Sequence, residues 1–292
     1  MSAPKKLPRT PSGEALSTDL YDPRLRWSML RSRWAYVTRE AFEDRVIRPL
    51  ENRLFQRWLA NGFLAEQVEE MGLPYRSVDD YLGEGLDLHI DPRQLVCSLS
   101  MKKSFPKSGQ RNKAKNTFIW KGKWDLFRYD FHKGQRYQFI SDVWAHRHAL
   151  DQSQAYHDLI KLLEQGRPLT SHQKGFLLNT PDKVLAYLET YVGYMNEMAR
   201  NGFDDTLGKD RLGVAIDRHG GIVKINRGLH RLAMAQVLGL EEIVVRVRAV
   251  HVDWWREVTQ GETGEKALQN MAEALQECRA AALDSSPAQD RG

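Results

Sequence analysis

The feature that most limits how this chain can fold is the stretch from Leu212 to His251, which reads GVAIDRHGGIVKINRGLHRLAMAQVLGLEEIVVRVRAVH from Gly213 onward. Val214 to Ile216 and Ile222 to Ile225 are short apolar runs separated by the turn cluster Asp217-Arg218-His219-Gly220-Gly221, so the two runs form a hairpin. Leu229, Leu232, Ala233, Ala235, Gln236, Val237 and Leu238 then recur at the spacing of a helix packed on a sheet. Gly239 ends that helix, because glycine accepts the left-handed conformation a helix C-terminus needs. Ile243 to Val250 is a β-branched third strand with Arg246 and Arg248 on one face. The order strand, glycine turn, helix, strand puts the chain in the α/β (α+β) class.

The glycine turn carries the chemistry of interest. A helix opening at Leu229 presents unpaired backbone N–H groups and the positive end of its dipole, and Gly228 lets a ligand oxygen approach the backbone. His230 and Arg231 add donors in the first turn, and Arg227 lies just before it. Such a turn suits a phosphate. The same side chains also serve as caps that bond nearby carbonyls or acids, and the residues alone weigh these readings equally.

Gly228-Leu229-His230-Arg231, followed by Leu232-Ala233-Met234-Ala235, Leu238-Gly239-Leu240 and Ile243-Val244-Val245-Arg246-Val247, resembles the signature of the ParB/sulfiredoxin-like superfamily. More closely, it resembles uncharacterised ParB-like proteins with a Gly-Asp-Trp-Asp element upstream and a His-x-x-Trp element after the last strand. This chain has Gly122-Lys123-Trp124-Asp125 and His251-Val252-Asp253-Trp254 at those places. The resemblance implies a ParB/sulfiredoxin-like mixed sheet core that binds the phosphates of ATP or CTP at Arg227, Gly228, Leu229, His230 and Arg231. Lys121 and Lys123 would add charge from the upstream element. If a phosphoryl group is transferred, Mg2+ would accompany the nucleotide, and Asp125 and His230 are the catalytic candidates. An aspartate at position 125 also has a plain structural use, in holding an arginine or capping a turn.

Two departures bear on the reaction. Leu229 stands where sulfiredoxin has its catalytic cysteine, so that activity is not supported. Arg227 stands where the free-serine kinases of the superfamily carry an aspartate, so a phosphotransfer base is missing there.

Lysine and arginine exceed the acids, 43 to 38, which suits a nucleotide, a nucleic acid or another polyanion as partner. No run reaches membrane-spanning length, and Met1 to Lys6 lacks the apolar core of a secretory signal, so a cytoplasmic protein is expected. Cys97 and Cys278 share no metal-type spacing, and Cys97 lies in the apolar run Leu95 to Leu99 as a core thiol.

The chain divides into a disordered basic lead (1–22), a helical N-terminal region (23–84), the first part of the core with a basic loop (85–130), a helical insert (131–210), the second part of the core (211–256) and a C-terminal helix with a polar tail (257–292). In the N-terminal region, Trp27, Leu30, Trp34 and Val37 recur at helical spacing, and Thr38 is the expected N-cap of a second arm that runs through Phe42, Val46 and Leu50 to Leu59. Phe63 to Met71 reads as a further helix, Leu86 to Ile90 as a strand, and Leu95 to Met101 as a strand or a short helix. Lys102 to Lys123 contains eight basic residues and no acid, and reads as a flexible loop for reaching a polyanion or a phosphate tail. His146 and His148 would share a face only on a strand. Thr180-Pro181-Asp182 is a helix start, and Gly264 to Leu283 is helical. A second function follows from the basic arms and the lysine loop, a DNA-associated partition-like binding protein, although no helix-turn-helix follows the core.

Overall fold

The computed structural model of the chain describes residues 20–42, 45, 48–62, 64–172, 175–207 and 211–283. Its elements run α1 (Arg26–Phe42), α2 (Arg48–Asn61), α3 (Ala65–Met71), α4 (Tyr75–Leu82), β1 (Asp87–Ile90), β2 (Cys97–Leu99), α5 (Met101–Ser104), α6 (Ser108–Asn116), β3 (Ile119–Trp120) and β4 (Arg128–Asp130). They continue as α7 (Gln135–Ala145), α8 (Gln154–Glu164), β5 (Thr170–Ser171), β6 (Phe176–Leu177), α9 (Pro181–Asn201), β7 (Gly213–Ile216) and β8 (Gly221–Lys224). The last are α10 (Leu229–Val237), β9 (Ile243–His251), α11 (Val252–Thr259), α12 (Gly264–Leu275) and β10 (Arg279–Ala280). Contacts group the chain into two compact units. One takes Met1–Ile47, Gln135–Asp210 and Ala233–Leu240; the other takes Arg48–Gly134, Arg211–Leu232 and Glu241–Gly292.

The unit that begins at Arg48 is built on a mixed sheet of eight strands in the order β1-β9-β7-β8-β2-β4, with β3 added to β9 and β10 to β8. The chain is therefore a mixed α/β protein. β7 and β8 form the expected hairpin, with Val214 opposite Lys224 and Ile216 opposite Ile222. β9 runs parallel to β7, and the register passes from Val214–Val247 to Ala215–Ala249, so Arg248 is the extra residue of a bulge. Strands in the middle of such a sheet are covered on both faces. Val214, Ala215, Ile216, Ile222, Val223, Val245, Val247 and Ala249 are accordingly buried. Phe105, Ala114, Trp120 and Trp124 belong to the same core cluster as Cys97, Leu99, Ala215, Val223 and Ala249.

The lysine-rich segment is not a flexible loop. It folds as α5, α6 and β3, because Phe105, Ala114 and Trp120 are buried and fasten it to the sheet. Arg111 donates to the carbonyl of Phe105 at 2.7 Å, and the Trp120 indole donates to that of Ala114 at 2.9 Å, which ties down the end of α6. Charge composition alone overlooks these few apolar anchors. Within Leu95 to Met101 only Cys97–Leu99 is strand, as β2, and Met101 opens α5; the helix expected to reach Leu283 stops at Leu275, before β10. Thr38 is inside α1, where its hydroxyl bonds back to the Trp34 carbonyl at 2.9 Å, so it does not cap a second arm.

In the other unit Leu20, Val143, Leu150, Phe176, Val184 and Leu188 form the core, among α7, α8 and α9. Leu20 is buried and Asp22 accepts the Arg24 N–H at 3.0 Å, so 20–22 are ordered rather than part of a disordered lead. The remainder of that lead, 1–19, and the polar tail over 284–292 lie outside the described residues. α9 starts as expected, with Thr180 Oγ1 accepting the Lys183 N–H at 3.3 Å and proline at its first turn. α7 ends at Ala145, which leaves His146 and His148 in a turn rather than on a strand. The His146 ring rests on Asp142, 3.1 Å from its carboxylate.

Candidate anion site

β8 ends in a lysine that the apolar pattern of Gly221 to Ile225 carries into the interior. Lys224 is fully buried, and its Nζ donates to the carbonyls of Gly213 at 2.9 Å, Ile225 at 2.5 Å and Arg227. Burial, then Arg231 and Arg227, push its pKa well below the usual lysine value. Three carbonyl acceptors answer the three N–H donors of an ammonium, and that match opposes the loss of the proton. The amine ties the start of β7 to the loop that follows β8. In that loop the Arg227 N–H donates to Ile225 O at 2.7 Å, and Gly228 takes φ +71. A Cβ at 228 would stand 3.2 Å from the Leu212 Cα, so both the backbone conformation and the space call for glycine. α10 begins at the next residue, with Leu229, His230 and Arg231 half-buried in its first turn and Leu232 donating to Gly228 O at 3.0 Å.

A second pair of cations borders the same place. A Cβ built on Gly213 would lie 3.1 Å from Arg248 Cγ and 3.2 Å from Arg227 Cβ, so the two arginine side chains meet over the Gly213 Cα. The Arg248 guanidinium lies over the Tyr75 ring, 3.3 Å from its centre, and burial and Arg227 lower its pKa. Lys224, Arg227, Arg231 and Arg248 therefore concentrate positive charge at the open end of the β7–β8 hairpin. Arg246, nearby on β9, pairs with Asp79 at 2.7 Å and Asp87 at 3.0 Å and serves the packing of α4 and β1 on β9.

The turn end of the hairpin is organised by opposite pairing. Asp217 Oδ1 accepts the N–H groups of His219 and Gly221, each at 2.8 Å, and Oδ2 accepts from Arg128 at 2.8 Å. Arg218 grips Asp125 with two bonds, Nε to Oδ2 at 2.7 Å and Nη2 to Oδ1 at 2.6 Å. Burial pushes the Asp125 pKa up, and the Arg218 bonds together with His251 pull it further down, leaving it below the usual carboxylate value. His251 Nδ1 accepts the Asp253 N–H at 3.0 Å, so the ring proton sits on Nε2, which donates to Gly122 O at 2.8 Å. The same Nε2 is 3.8 Å from Asp125 Oδ1.

The two outlying elements, Gly122–Asp125 and His251–Trp254, thus meet each other at the hairpin turn, but they do not meet Gly228. From Gly213 to Asp217 the extended chain covers about 13 Å. The structure corrects the expectation that Asp125 and His230 share one catalytic site. Both oxygens of Asp125 are committed to Arg218 and its proton affinity is low, so it acts as a buried clamp and not as a base. Lys121 pairs with Glu70 at 3.1 Å. Lys123 is exposed before the turn Trp124–Leu126. Because Trp120 pairs with His251, both lysines lie at the turn end of the sheet, away from Gly228.

A cavity of about 370 Å³ borders α3 and α11, but its walls include Glu66, Glu69, Glu70 and Glu262. Glu69 accepts the indole N–H groups of Trp58 at 3.2 Å and Trp255 at 3.1 Å, and burial raises its pKa. Carboxylates repel a phosphate, so this cavity is not the anion site. Among the described residues no three His, Cys, Asp or Glu side chains gather as a metal site, and no helix is long and apolar enough to cross a membrane. Sequence reasoning missed Lys224, Arg218 and the part played by Arg248. The available signal was the charged residue inside an otherwise apolar strand, which marks Lys224 as a buried cation in need of partners. No protein-family model, curated protein or solved structure matches this chain.

Proposed function

We propose that the protein binds the phosphate groups of a nucleotide, ATP or CTP, at the Gly228 turn of a ParB/sulfiredoxin-like core. The observation that carries this reading is the convergence of Lys224, Arg227, Arg231 and Arg248 on a glycine turn that opens a helix. Arginine forks bond phosphate oxygens in pairs, the first N–H groups of α10 point along the helix axis toward an anion, and Gly228 keeps the approach clear of a Cβ. Lys224 has a different part: it holds the loop in shape from beneath. His230 supplies a further donor in the first turn.

The reading is binding, not phosphoryl transfer. The acid that transfer requires is not at 227, where an arginine stands, and Asp125 is clamped at the other end of the hairpin. Titration with ATP, CTP and the corresponding nucleosides tests the proposal. Removing an arginine that bonds a charged oxygen costs about 1.5–3 kcal/mol, so Arg231→Ala should weaken nucleotide binding by roughly 10- to 150-fold. Nucleosides should bind feebly to both proteins. Undetectable nucleotide binding by the unaltered protein, or equal affinity in the variant, removes the proposal.

A further inference from the structure

α5 and α6 present a surface that nucleotide binding at Gly228 does not use. No aspartate or glutamate occurs between Met101 and Trp124. Lys102, Lys103, Lys107, Lys113 and Lys115 are exposed there. The exposed amides of Gln110 and Asn112 lie between them in sequence, and Asn116 follows Lys115. Ala114 is the buried residue of α6, and the Trp120 and Arg111 bonds hold the helix in place, so Lys113 and Lys115 are fixed on its two flanks. None of the five pairs with a carboxylate among the described residues.

Two exposed aromatic rings follow the turn that packs on α5. Ser100, at the root of α5, donates its N–H to Phe127 O at 2.9 Å. Phe127, just before the outermost strand β4, and Tyr129, on it, are 42% and 37% exposed. Glu70 of α3 borders the Lys113 flank of α6, and the remaining fixed cations, interleaved amides and uncovered rings are the parts of a surface that follows a phosphate backbone and stacks on unpaired bases. A helix lying on a membrane needs an uncovered apolar face, and α6 has none, since its apolar residue points inward. A duplex hides its bases from stacking rings.

We propose that α5, α6 and the rim of β4 bind single-stranded nucleic acid, with the lysines on successive phosphates and Phe127 and Tyr129 against bases. The proposal does not depend on the nucleotide reading of Gly228.

Fluorescence anisotropy with labelled oligouridylate and oligothymidylate tests it on the full chain, with duplex DNA and phosphatidylserine vesicles as comparisons. Five phosphate contacts predict a slope of about −3.5 in log K against log salt, or a loss of roughly a hundredfold between 50 and 200 mM. Lys102→Gln, Lys107→Gln and Lys113→Gln together should make the slope shallower by about 2, lower the affinity at low salt tenfold or more, and leave the helical signal and mononucleotide affinity unchanged. Phe127→Ala with Tyr129→Ala should weaken binding at least fivefold, since each stacked base contributes about 1–3 kcal/mol. Unchanged oligonucleotide affinity in the glutamine variant overturns the proposal, as does tighter binding to duplex than to single strands. Capture by vesicles without oligonucleotide binding overturns it in favour of a lipid surface. Oligonucleotide binding that depends on these lysines while ATP and CTP fail to bind would support this surface and count only against the Gly228 reading.

Discussion

Replacing Asp125 by asparagine separates a structural role from a functional one. The carboxylate is wholly buried, and its partner Arg218 keeps 24% of its side chain exposed. Removing one member of a buried ion pair costs about 3–5 kcal/mol, because the other charge is left without compensation. Arg218 retains some solvent and asparagine retains one acceptor oxygen, so the expected cost is at the lower edge, about 3 kcal/mol. For a protein of this size that corresponds to a fall in Tm of roughly 6–12 °C. Acid dependence supplies a second measurement. The folded-state pKa of Asp125 lies below its unfolded value, so its stabilisation is complete above about pH 4 and is lost as pH falls through the folded value. Urea unfolding from pH 7 downward should therefore show the wild type and Asp125→Asn converging below about pH 4. Nucleotide affinity at pH 7 should be the same in both, since the clamp is at the turn end of the hairpin. A cost under about 1 kcal/mol would refute the clamp, given the magnitude expected for a buried pair. Normal stability with lost nucleotide affinity would return Asp125 to the binding site.

Gly228→Ala forces a Cβ into a left-handed backbone and toward Leu212; it should cost at least about 1–2 kcal/mol by urea unfolding and weaken nucleotide binding in the same protein. Lys224→Met removes one donor from the carbonyls of Gly213 and Ile225, which keep the Ile225 and Arg227 N–H groups, and the Nζ donor from that of Arg227; a loss of about 1–3 kcal/mol is expected, with looser amide-exchange protection around 225–228. His251→Ala removes the N-cap of α11 and the bond to Gly122 O; a loss of about 1–2 kcal/mol is expected, and His251→Asn should recover part of it by restoring the cap.

Much of the sheet was legible because its signals are local. The hairpin over 214–225, the helix after Gly228 and the β-branched strand over 243–250 follow from periodicity and from glycine at turns, which act within a few residues. The helices of the lysine segment are hidden in the sequence for the converse reason. Its helices depend on Phe105, Ala114 and Trp120 meeting the sheet, and a charge count contains nothing of that contact. Lys224 was passed over as one charge in a strand, and only burial reveals that three carbonyls receive it.

By itself, then, the sequence determined the order of strand, turn and helix and the cationic character of the turn at Gly228, since backbone preference and side-chain type are properties of neighbours in the chain. Which charges meet is set by contacts between distant parts of the chain. Arg218 closes on Asp125 across 93 residues of chain, and Arg248 reaches Arg227 because a bulge in β9 shifts its register against β7. Such pairings depend on how strands are laid side by side, and that is settled by the burial of the whole sheet rather than by any short stretch of it.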